Sequence, residues 1–101
     1  MENGLKDRDI ENIIRASREL PEIEEVILFG SRAKGIQKNG SDVDLAIKGR
    51  NITDKTTKRL SSKLNEELPL PYFIDIVNYE TIRNQALAEH IDRVGKIIYS
   101  K

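Results

Sequence analysis

Apolar residues recur along the chain with two different periods. Between Lys6 and Leu20 they fall at Ile10, Ile13, Ile14 and Leu20 with charges between them, and Pro21 follows. That spacing predicts a helix ending at the proline. Glu25–Phe29 is a β-branched and apolar run stopped by Gly30-Ser31, which predicts a strand. Ser31 to Gly35 reads as a helical turn, and residues 36–40 as a polar loop. From Asp42 to Lys48 the pattern alternates strictly. Val43, Leu45 and Ile47 would face one side of a strand, and Asp42, Asp44, Ala46 and Lys48 the other. Thr53 is placed to cap a helix running to about Leu68, with Leu60, Leu64 and Leu68 spaced by four and Pro69 and Pro71 breaking it. A third strand is predicted over Tyr72–Val77. A helix is predicted from about Glu80 to Val94 with Gly95 as its C-terminal stop, then a short strand over Lys96–Tyr99.

The order α-β-α-β-α-β-α-β implies an α/β fold, with about four strands in one sheet and helices packed on it. Two strand-to-strand links carry helices long enough for crossovers. The short link between the first two strands permits an antiparallel pair, so the sheet is expected to be mixed. No repeat, low-complexity tract or linker interrupts the pattern, and residues 1–101 are expected to form one domain.

Composition narrows the function classes. Seventeen basic residues balance seventeen acidic ones. A bulk nucleic-acid binder is usually strongly basic, so direct nucleic-acid binding is not expected, and local charge must carry any anion binding. The absence of cysteine excludes disulfides and thiolate metal sites. The N-terminal stretch is polar, without the apolar core of a signal peptide, and no run approaches the ~20 apolar residues of a membrane span. A cytoplasmic protein without a membrane partner is expected.

The chemistry concentrates between Phe29 and Asp44. Gly30-Ser31 ends a strand and opens a helical turn; glycine permits close approach of a ligand, and free N–H groups at a helix start attract phosphate. Ser31 adds a hydroxyl, and Lys34 one turn on offers positive charge. Asp42 and Asp44 are one residue apart on a strand, so both carboxylates point the same way. Their mutual repulsion would raise one pKa unless a cation sat between them. Hard oxygen donors of this kind suit Mg²⁺, which takes further ligands from water and substrate phosphate. Asp75 lies within an apolar strand, where a carboxylate is costly unless paired or bound to metal. If its strand neighbours that of Asp42 and Asp44, three carboxylates converge, enough to hold two metal ions about 3.5–4 Å apart. Taken singly, Gly-Ser after a strand is an ordinary turn, Asp-x-Asp is a solvated edge or local cap, and Asp75 is a solvent-facing position on a half-exposed strand. The combination in this order is what points to a site.

Gly30-Ser31 followed by Ser41-Asp42-Val43-Asp44, with a later Phe73-Ile74-Asp75-Ile76-Val77 and a closing Gly95-Lys-Ile-Ile-Tyr99, resembles the minimal nucleotidyltransferase domains of the DNA polymerase beta superfamily. The resemblance covers nearly the whole chain. It implies a polymerase-beta-type fold and transfer of a nucleotide from a nucleoside triphosphate with two Mg²⁺ ions. Asp42 and Asp44 would ligate both metals. Asp75 would ligate the catalytic one and help deprotonate the acceptor hydroxyl, while Ser31 and the Gly30 turn would hold the triphosphate. The family often has Arg where this chain has Lys34, exchanging a bidentate fork for a point charge. Free-standing domains of this size resemble the antitoxin of a toxin–antitoxin pair whose partner is a HEPN-domain ribonuclease. By that resemblance ATP would be the donor and a partner tyrosine the acceptor. The chain's size agrees, because a sheet with its helices leaves little to grip a second substrate.

Other residues invite roles they need not have. His90, the single histidine, reads as a surface or boundary residue, since no orienting partner can be named for it. Arg32 and Lys38 flank the turn and either steer nucleotide or are solvated. Lys48 shares the Asp-bearing face and could approach a phosphate. The three tyrosines are too scattered for a base-stacking platform. Against the enzyme stand two alternatives. One is an antitoxin that neutralises its partner by masking alone. The other is a small-molecule nucleotidyltransferase whose acceptor pocket is built by dimerisation. Neither base preference nor oligomeric state is legible.

Overall fold

The computed structural model describes residues 4–38, 40–68 and 70–101. Pro69, expected to break the third helix, and Asn39, within the expected loop, lie outside the described residues. The elements run α1 (Asp7–Arg18), β1 (Glu25–Phe29), α2 (Ser31–Lys34), β2 (Val43–Lys48), α3 (Asp54–Ser62), β3 (Ile74–Asn78), α4 (Gln85–Val94) and β4 (Lys96–Ser100). The strands form one sheet in the order β3-β2-β1-β4. β1 pairs antiparallel with both β2 and β4, and β2 pairs parallel with β3 through the α3 crossover. The sheet is therefore mixed, as its short and long connections implied.

Alternation along the strands divides the interior. Val26 and Leu28 of β1, Val43, Leu45 and Ile47 of β2 and Ile74 of β3 pack with Ile13 and Leu20 from the α1 side and Leu60 and Leu64 from the α3 side. The opposite face carries a smaller cluster, Ile27, Phe29, Ala46 and Ile91, covered chiefly by α4. Both faces of β1 are closed, and the buried run Val26–Phe29 is the consequence.

Thr53 caps α3 as expected, its hydroxyl accepting the Thr56 N–H. The helix continues through a π-helical turn, Lys63–Glu67, so the expected end near Leu68 holds. That turn aims Asn65 at the sheet. Its Nδ2 donates to the Ile74 carbonyl at 2.9 Å and its Oδ1 accepts the Ile74 N–H at 2.8 Å.

Two expectations need correction. The last helix starts at Gln85, not near Glu80. The Asn78 side chain accepts the Glu80 N–H and makes a short 3₁₀ turn, Tyr79–Thr81, and the Asn84 side chain caps α4 through Leu87 N–H. Two Asx side chains competing for local backbone displaced the helix start. Gly95 ends α4 as expected, with φ −61°. What demands glycine there is packing, because a Cβ would strike the Ile91 carbonyl and lie 2.6 Å from Ile27 Cγ2. Finally, β2 begins at Val43, whose N–H donates to the Phe73 carbonyl, leaving Asp42 just before the strand. Among the described residues no helix is long and apolar enough to cross a membrane.

Candidate active site

The site forms where β1 ends and β2 begins, on the less covered face of the sheet. Phe29 is the register partner of Asp44 in the antiparallel pair, and Asp75 is the register partner of Asp44 in the parallel one. Asp44 thus stands between the Gly30 turn and the Asp75 carboxylate. Burial pushes the Asp44 carboxyl above its ordinary range, and the charges of Asp75 and Asp42 push the same way; positive charge on His90 would oppose them. The three predicted carboxylates are brought together, with Asp44 half-buried and Asp42 and Asp75 exposed. Exposure removes one premise: Asp75 bears no burial cost, and its solvent-facing placement is the one allowed for above.

Gly30 meets Asp44 directly. Its backbone adopts φ 77°, ψ −156°, a conformation open essentially to glycine alone. A Cβ built there would fall on Asp44 Oδ2. Ser31, half-buried, starts α2, and Lys34 ends it with an exposed side chain. The Gly30 N–H is not free, however. It donates to His90 Nε2 at 3.1 Å, and the His90 ring meets Phe29 edge-on with centroids 6.1 Å apart. Acceptance at Nε2 uses the lone pair of that ring nitrogen. The orienting partner of His90 was invisible in the sequence because it lies sixty residues away and is a backbone group.

Arg32 is neither a nucleotide guide nor solvated. It is buried, donating through Nε to the Asp42 carbonyl at 3.3 Å and through Nη2 to the Ser41 carbonyl at 2.8 Å, with its guanidinium 4.6 Å from the Tyr72 ring centroid. It fastens the loop that delivers Asp42. Lys48 is also committed elsewhere. Its Nζ sits 4.3 Å from the Tyr79 ring centroid, and the Tyr79 hydroxyl donates to Asp92 Oδ1 at 2.7 Å, tying β2 to α4. A cavity of about 480 Å³ lined by Glu25, Lys48, Arg50 and Glu80 opens at the opposite ends of β1 and β2, away from the carboxylates.

Among the described residues no group of three or more His, Cys, Asp or Glu side chains is arranged to hold a metal ion as it stands. The donor set still fits divalent metal. It consists of hard oxygens gathered about Asp44, whose ionised carboxylate is disfavoured by burial and by the negative charges of Asp75 and Asp42, a penalty that a cation would offset.

Residues 11–101 match the family model described as Polymerase beta, Nucleotidyltransferase. The chain belongs to the polymerase-beta nucleotidyltransferase family. No curated protein matches it. Among solved structures, this nucleotidyltransferase domain is similar to a chain of a toxin–antitoxin complex with AMP-PNP. Identity is 23% and the TM-score 0.73, over 96% of this chain and 75% of that one. A chain from the complex of a tri-AMPylated Shewanella oneidensis HEPN toxin with an MNT antitoxin gives 20% identity and a TM-score of 0.73, over 96% and 74%. A provisionally assigned nucleotidyltransferase of Sulfolobus solfataricus gives 18% and 0.51, over 97% and 92%. At these identities the likeness is one of fold.

Proposed function

We propose that this domain transfers a nucleoside monophosphate, AMP from ATP, to a tyrosine hydroxyl of a partner HEPN-domain ribonuclease, and so acts as its antitoxin. The observation that carries the reading is the meeting of Asp44 with Asp75, Asp42 and the Gly30-Ser31 turn at one end of β1 and β2. Family membership supports nucleotidyl transfer. The shared fold with a chain from a complex whose HEPN toxin is tri-AMPylated supports the acceptor class and AMP as the group moved. A likeness to a complex with AMP-PNP supports an adenine nucleotide as donor.

In this reading Asp42 and Asp44 would hold two Mg²⁺ ions, with Asp75 on the one beside the acceptor. Metal there would neutralise triphosphate charge and ease deprotonation of the acceptor hydroxyl. The chain's own groups do the rest. Ser31 and the turn around Gly30 seat the phosphates. An Asp75 carboxylate oxygen takes the hydroxyl proton as the hydroxyl oxygen bonds to the α-phosphorus and pyrophosphate leaves. Lys34, exposed beside the turn, contributes positive charge to the phosphates.

The test is transfer of label from α-labelled ATP, CTP, GTP and UTP with Mg²⁺ into a co-purified HEPN partner, comparing wild type with Asp42→Asn and Asp44→Asn. Labelled partner from wild type alone supports the reading and reports base preference. Toxin that is neutralised without label, and equally by the folded variants, would replace transfer with masking.

A further inference from the structure

We propose that His90 is a positioning residue of the phosphate turn, holding the Gly30 peptide plane so that Ser31 and Asp44 keep their relative places when nucleotide binds. The inference rests on the nucleotidyltransferase reading and adds a residue to its site.

Gly30 is the point of greatest backbone freedom in the site. It follows the last paired residue of β1, sits at φ 77°, ψ −156°, and has no side chain to pack. Its conformation therefore needs an outside restraint. Asp44 fills the space on the Cα side. His90 supplies the other restraint by accepting the N–H from α4. The imidazole is itself held, because α4 is anchored beneath it by buried Ile91 and beyond it by the Asp92–Tyr79 hydrogen bond, and the ring edge meets Phe29. With the N–H committed to His90, the turn's contacts with phosphate fall to Ser31 and the groups after it. Remove the acceptor and the Phe29–Gly30 peptide can rotate, moving the following Ser31 relative to the carboxylates. The cost then appears in nucleotide affinity rather than in the chemical step.

The experiment is calorimetric titration of AMP-PNP with Mg²⁺ into wild type, His90→Gln, His90→Phe and Asp44→Asn, with amide hydrogen exchange at Gly30 read by NMR in each. Gln keeps an acceptor at similar reach, and Phe keeps a ring against Phe29 without one. Losing one hydrogen bond corresponds to about fivefold to tenfold in affinity. His90→Phe is expected to bind that much more weakly with faster Gly30 exchange, and His90→Gln to return within about threefold of wild type on both readouts. His90→Phe binding like wild type, or His90→Gln as weak as His90→Phe while both melt as folded proteins, overturns the positioning role and leaves the functional reading standing. Wild type that folds yet binds no AMP-PNP overturns both.

Discussion

Replacing Gly30 by alanine tests whether the turn and the carboxylate are fitted to one another, provided it is paired with Gly40→Ala. Both glycines have positive φ, 77° and 79°, so alanine brings backbone strain at either. That strain is worth roughly 1–2 kcal/mol at Gly40 and about 1–3 kcal/mol at Gly30, whose ψ lies further from populated regions. The surroundings differ completely. A Cβ at Gly40 meets nothing within 4 Å, whereas one at Gly30 lands on Asp44 Oδ2. The end of an Asp side chain can swing away, so the collision adds little to the loss of stability and much to the displacement of the carboxylate. A shift of about 1 Å in a reacting group can cost on the order of 100-fold. Both variants should lose about 4–8 °C of melting temperature per kcal/mol. Gly40→Ala should transfer nucleotide within a few fold of wild type, and Gly30→Ala about 100-fold more slowly. Thermal melts alongside initial rates of label transfer read both quantities. Equal activity in the two variants would show that Gly30 serves only the backbone and that the fit to Asp44 is immaterial.

Asp44 gives a pH prediction of definite sign. Its folded carboxyl lies above the ordinary value of 3.8, so the folded chain holds the proton more tightly than the unfolded chain. Stability from this group is therefore present below that value and is lost as pH rises through the raised one. In chelator, Asp44→Asn should be more stable than wild type at about pH 7, with the difference closing below about pH 3.8; urea midpoints at both pH values check it, and a gap that persists in acid would refute it. Arg32→Lys should cost about 1–3 kcal/mol, because an ammonium cannot reproduce a buried fork that serves two loop carbonyls and stacks on Tyr72. Unchanged thermal stability of Arg32→Lys would show that the loop does not depend on the guanidinium.

The strands and the carboxylate pairing were legible because both are local. Val43, Leu45 and Ile47 alternate with Asp44 whatever the rest of the chain does, and the links on either side of β2 decide which neighbour runs parallel. Asp75 beside Asp44 was only a condition in the sequence, since a crossover permits neighbouring parallel strands without setting their register, and the structure supplies that register. What escaped detection has long-range or side-chain-to-backbone causes. Arg32 looks solvent-facing in a polar stretch, yet two carbonyls nine and ten residues on draw it inside. His90 belongs to a helix whose pattern names a buried face but not a peptide N–H at the tip of a distant strand. The false helix start near Glu80 arose from reading apolar spacing without the turn chemistry of Asn78 and Asn84.

Asn65 carries a consequence for how any partner can approach. β3 is an outermost strand, and an outermost strand ordinarily offers bare N–H and carbonyl groups on which another chain can build. Here the Asn65 amide takes both such groups of Ile74, the residue immediately before Asp75. The sheet edge nearest the carboxylates is thereby closed to strand addition at the point where an incoming chain would gain its first pair of bonds. A backbone arriving along the rim finds those two bonds already taken beside Asp75, whereas the open face of the sheet there stays accessible to a projecting side chain.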